Sequence, residues 1–136
     1  MQKSYTNRYN SFKQSLDSLE EAKTRNKDDS FVLSGTAMKF NLTFDLSWKL
    51  MGDIIRDEYK IIDYVTGSPR ETLKKAKSLG IIDDDIWLSM LDDRNNLTHD
   101  YDYLIAKEKF DTIVNSYIQV FGKLNERVLE IMNENN

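Results

Sequence analysis

The sequence predicts an all-α protein, an antiparallel up-and-down bundle of four main helices plus a shorter one. Three observations predict it. Apolar residues recur at spacings of three and four in the first and last segments. The one stretch that alternates like a strand has no comparable strand elsewhere to pair with. Turn and capping residues also fall where such helices would have to end and start again.

Residues 5–25 place Tyr9, Phe12, Leu16 and Leu19 on one stripe with charges between them, an amphipathic helix that the polar run Asn26 to Ser30 ends. From Phe40 to Leu50 apolar and polar residues alternate strictly, as in a half-buried strand. A helix over 31–58 fits as well. One stripe holds Ala37, Phe40, Phe44, Trp48, Met51 and Ile55, and a second, on nearly the opposite side, holds Leu42, Leu46, Leu50 and Ile54. The pattern outlasts an ordinary strand without a turn signal, which favours the helix. A helix apolar on two sides needs burial on two sides. This one is expected at the centre of the bundle, with one face available to a second copy of the chain.

Thr66-Gly67-Ser68-Pro69 turns the chain, and Ser68-Pro69-Arg70-Glu71 reads as a capping box with proline in the first turn. That helix stops at Gly80. Asp83 or Asp84 caps the next, whose buried side carries Ile86, Trp87, Met90 and Leu91. Phe110, Ile113, Val114, Tyr117, Phe121, Leu124, Val128 and Ile131 form the seam of a long final helix. Trp48 and Trp87 are expected in the core.

Composition narrows the function. At 136 residues the chain is expected to be one domain, 1–136. No cysteine and a single histidine leave no disulfide, no thiolate nucleophile and no typical structural zinc site, so neither metal nor cofactor is expected. No apolar run reaches membrane-spanning length and no apolar core follows the N-terminus, so the expectation is a cytoplasmic protein without a membrane partner. A net charge of −4 argues against gripping long nucleic acid by bulk electrostatics. The charge is uneven. Lys3, Arg8, Lys13, Lys23, Arg25 and Lys27 form one basic group, Arg70, Lys74, Lys75 and Lys77 another, and Asp83, Asp84, Asp85, Asp92 and Asp93 an acidic block. These are either solvated helix faces or local surfaces for a ligand or partner.

The chemistry concentrates in Asp93-Arg94-Asn95-Asn96-Leu97-Thr98-His99-Asp100-Tyr101, which contains the only histidine. Histidine moves protons near neutrality, and arginine offers a permanent planar cation to phosphate. Together they are the minimum equipment for cutting RNA without a metal. In an unbroken helix, however, positions 94 and 99 point roughly 140° apart. Either the Asn95-Asn96 region breaks the helix, or a second copy of the chain completes the site. The same residues also read as a polar cluster that only locks helices together, if an aspartate pairs with Arg94.

Arg94-x4-His99-x-Tyr101 resembles the signature of HEPN-domain proteins. Lys39 to Lys49, Ser68-Pro69-Arg70-Glu71, the run at 77–82 and Trp87 to Asp93 resemble, in order and spacing, the branch of nucleotidyltransferase substrate-binding and HepT-like proteins. The resemblance spans about residues 37–103 and implies a HEPN-like homodimeric bundle partnered by a minimal nucleotidyltransferase. For a HepT-like toxin it implies a metal-independent endoribonuclease. His99 would then be the general acid or base and Arg94 would stabilise phosphate charge, with Asn95 in support. Tyr101 would be the site where the partner antitoxin adenylylates the chain. For a substrate-binding protein it implies a non-catalytic subunit of the same partner.

Overall fold

The computed structural model describes residues 2–61, 67–99 and 103–135, with only the backbone of His99 included. Among these residues every regular element is helical, and the fold is the all-α bundle the sequence predicts. The first helix, α1, spans Thr6–Glu20 and tightens into a 3₁₀ turn at Glu21–Thr24. α2 then spans Ser30–Asp57, its first turn capped by the Asp29 carboxylate, which accepts from the Phe31 amide at 2.8 Å. The strand-like alternation at 40–50 therefore lies wholly inside a helix. Burial decides this: Phe40, Phe44, Met51 and Ile55 are sealed on one side, while Leu50 and Ile54 are sealed on another.

α3 spans Pro69–Ser78. The Ser68 hydroxyl accepts from the Glu71 amide at 3.3 Å, proline occupies the first turn, and Gly80 follows the helix at φ 78°. That left-handed conformation suits glycine, so the sequence-based stop is also the structural one. α4 spans Ile86–His99, and of the two candidate caps Asp84 is the one that bonds, accepting from the Ile86 amide at 2.9 Å. α5 spans Tyr103–Thr112 and continues through a π turn at Ile113–Tyr117 into α6, Ile118–Glu134. The long final helix thus starts before Phe110 and carries a one-turn irregularity that apolar spacing alone did not reveal.

Cross-helix pairs set the directions. Arg8 meets Asp53, Ser15 meets Thr43 and Lys39 meets Glu21, so α1 and α2 run antiparallel. Tyr9 bonds Asn125 and Phe12 packs on Phe121, so α1 and α6 are antiparallel too. α2 contacts α1, α3, α4 and α5, which makes it the central element. Phe40 stacks on Tyr117, Phe44 meets Trp87, and Trp87 meets Phe121 edge-on, joining α2, α4 and the final helix in one aromatic core. Trp87 is buried, as expected, whereas Trp48, also expected in the core, is only half-buried and packs against it. The second apolar stripe of α2 is likewise divided. Leu50 and Ile54 are covered, but Leu42 is 54% exposed. No helix among the described residues is long and apolar enough to cross a membrane.

Candidate functional site

α4 carries Arg94, Asn95 and His99, and it remains helical from Ile86 through His99. The break that would bring positions 94 and 99 together within one chain does not occur. Their faces stay roughly 140° apart, as helical geometry requires. Tyr101 lies outside the described residues.

Arg94 reaches across to α2. Its Nη2 lies 2.8 Å from Asp45 Oδ1, and its Nη1 donates to Asn95 Oδ1 at 2.9 Å. The Asp45 contact is close but lies off the N–H direction, so it acts as an ion pair rather than a directed hydrogen bond. Both side chains are about three-quarters buried, at 25% and 30% exposure, where an ion pair is screened less than on the open surface. Arg94 Nε is buried without an acceptor. Asn41 Oδ1 and Trp48 Nε1 on α2 are also buried without partners. Asn41, Asp45 and Trp48 follow at spacings of four and three, so they share one strip of α2 beside α4. Each such unmet group costs on the order of 1–3 kcal/mol, which marks this strip as the least settled part of the interior.

Asp93, next to Arg94 in sequence, points the other way. It is 7% exposed, accepts a short hydrogen bond from the Tyr117 hydroxyl, and pairs with Lys109 Nζ at 3.2 Å. Burial, then the hydrogen bond to Asp93, pushes the Tyr117 hydroxyl well above its ordinary value. This network ties α4 to α5 and the π turn, and so fixes the face that α4 offers to α2. Thr98 closes the local set by donating from its hydroxyl to the Arg94 carbonyl at 2.7 Å.

Sequence reasoning placed Arg94 and Asn95 in one cluster and anticipated an aspartate beside Arg94, but it did not identify Asp45. The available signal was the Asn41-x3-Asp45-x2-Trp48 spacing, polar atoms set into an otherwise apolar helix. The roles of Asp93 and Tyr117 as the backing of the motif were not legible, because Tyr117 reads as one more residue of the seam.

As an assembly, the site is an arginine held between a carboxylate and an amide, with spare buried donors and acceptors around it. What the geometry shows it doing is holding α4 to α2 in fixed orientation. Among the described residues no group of three or more histidine, aspartate or glutamate side chains is placed to hold a metal ion. No curated protein matches the chain. Residues 7–130, nearly all of the bundle and all of α4, match the family described as nucleotidyltransferase substrate binding protein like. The all-α bundle, the capped α3, the aromatic core of α2 and the Arg94 cluster on α4 all fall within that match, and the chain belongs to this family.

Proposed function

We propose that the chain is a non-catalytic binding subunit that associates with a nucleotidyltransferase and presents that enzyme's substrate, acting as a two-fold dimer. The observation that carries this reading is the engagement of Arg94 by Asp45 and Asn95. A cation meant to stabilise charge developing on a phosphate works best when it is preorganised and free to meet that charge. Here a phosphate would first have to displace a carboxylate. Association with a nucleotidyltransferase is supported by the family description. Dimerisation is supported by Phe31, Met38 and Leu42, which stand 87%, 71% and 54% exposed on one face of α2. Exposed apolar stripes of this kind are characteristic of interaction surfaces.

A second reading is favoured by a specific observation. Of the Arg94-x4-His99-x-Tyr101 pattern, which resembles that of metal-independent endoribonuclease toxins, Arg94 and His99 sit on a helix that keeps their positions apart. Two copies related by a two-fold axis would bring two arginines and two histidines to one cleft. In that reading RNA is the substrate, and the nucleotidyltransferase is the antitoxin that silences the site through Tyr101.

Co-expression with a minimal nucleotidyltransferase from the same genome, followed by purification and an RNA-cleavage assay, separates the two. The expected result is a stable complex, unchanged by His99→Ala, and a free chain that leaves single-stranded RNA intact in EDTA. RNA cleavage in EDTA that disappears in Arg94→Ala and His99→Ala, and rises in Asp45→Asn, would establish the nuclease instead.

A further inference from the structure

We propose that the cleft between the α3–α4 loop and α6 is where the nucleotidyltransferase docks, seating there one apolar side chain of a basic segment. This rests on the association proposed above and adds its place and its chemistry. The floor of the cleft is apolar, made by Ile82 of the loop, Trp87 of α4, and Val120 and Leu124 of α6. No residue of the Arg94 cluster or of the exposed Phe31, Met38 and Leu42 face lines it. A dimer built on that face and a partner seated in the cleft use different residues.

Size and shape are the first reason. The volume, about 230 Å³, lies below the roughly 300–1,000 Å³ of pockets that hold small molecules. It suits a protruding side chain better than a whole ligand. The shape is also fixed in advance. Arg127 Nε donates to the Gly80 carbonyl at 3.0 Å, Lys123 Nζ lies 3.7 Å from Asp83 Oδ1, and Lys77 pairs with Asp85 at the other end of the loop. Cations from α3 and α6 thus hold the loop in place, and Gly80 makes the turn into it at φ 78°. A receptor already in its bound shape loses less freedom when a partner arrives.

Charge is the second reason, and it specifies the partner's side of the contact. Four carboxylates, those of Asp83, Asp84, Glu126 and Glu130, rim the cleft against two cations, Lys123 and Arg127. Both cations are already engaged, Lys123 by Asp83 and Arg127 by Glu130 and Glu134. Asp84 spends one oxygen on the Ile86 amide, and neither it nor Glu126 has a cationic partner among the described residues. Both are exposed, one on the loop and one on α6, so each bank of the cleft lacks positive charge. An apolar side chain flanked by lysine or arginine answers both features. The floor is covered and the open carboxylates gain partners.

The test takes the full chain and a purified minimal nucleotidyltransferase from the same genome, with calorimetry for affinity and fluorine NMR for place. The chain has two tryptophans, so 5-fluorotryptophan in this chain alone gives two signals, assigned with Trp48→Phe. The expected result is a complex, weakened by added salt, in which the Trp87 signal shifts more than the Trp48 signal. Glu126→Lys and Val120→Glu should each weaken it at least tenfold. Glu20→Lys, an equal charge change at an exposed acid outside the cleft, should leave it unchanged. Undiminished binding by Glu126→Lys would overturn the proposal, as would equal weakening by Glu20→Lys or a Trp87 signal that stays in place while the complex forms. A Glu126→Lys chain that loses its own dimer would make a second copy the occupant and overturn it too. An unaltered chain that binds no nucleotidyltransferase would overturn the association itself, a result distinct from a complex indifferent to the cleft. Circular dichroism of each variant separates lost binding from lost folding.

Discussion

Asp93 and Arg94 are neighbours with opposite duties. The carboxylate turns inward to Tyr117 and Lys109, and the guanidinium turns to Asp45 on the central helix. Replacing Tyr117 by Phe keeps the ring that stacks on Phe40 but removes the hydroxyl, leaving Asp93 with Lys109 alone. Urea unfolding of Tyr117→Phe is expected to show a loss of about 1–3 kcal/mol. The same hydroxyl makes stability pH-dependent. Burial, followed by the hydrogen bond to Asp93, keeps it protonated far above its usual range, and burial raises Tyr5 and Tyr9 as well. In the unfolded chain a tyrosine ionises near pH 10, so above about that pH the unfolded state binds fewer protons than the folded one. Stability should therefore fall as pH rises past about 10, and the fall should be shallower in Tyr117→Phe. The motif itself was visible in the sequence because its residue types are rare in that spacing. Its partners were not, since pairing Arg94 with Asp45 depends on how α4 crosses α2, which helical periodicity does not encode.

At the scale of elements, the capping residues were the most legible. Ser68, Pro69 and Gly80 do in the structure what their chemistry demands. Gly80 gives a clean measurement. A Cβ placed there would meet nothing within 4 Å, so the cost of Gly80→Ala comes only from its φ of 78°. A loss of about 1 kcal/mol in urea unfolding is expected. No loss would mean that the turn relaxes out of the left-handed region. The alternation in α2 shows why pattern alone can mislead. A helix buried on two sides has apolar residues at nearly every other position, and only length and the lack of a partner strand identified it. The π turn escaped because it changes one hydrogen-bond step without interrupting the apolar seam.

On the whole-molecule scale, the surface of α2 is divided lengthwise. Phe31, Met38 and Leu42 stand exposed toward its start, and Arg8, Lys49 and Arg56 gather toward its end. The apolar half is the expected contact between two copies. Light scattering on the isolated protein should give a dimer, and Met38→Asp with Leu42→Asp should shift it to monomer without loss of helical content. A wild-type monomer at micromolar concentration would rule this face out as a self-association surface. The bundle was readable from the sequence because each helix has its own stripe. Which stripe remains open was not, because that depends on what the other helices leave uncovered.

The π turn at Ile113–Tyr117 has a consequence for where the two halves of the last rod point. A single extra residue in the turn resets the angular phase of α6 relative to α5. α5 can therefore aim Lys109 at the backing of the Arg94 cluster, while α6 aims Phe121 and Asn125 at α1. One unbroken α-helix would set those two aims at a different angle to each other. With the phase offset between them, one rod serves two directions, its first half backing the site and its second half closing the bundle.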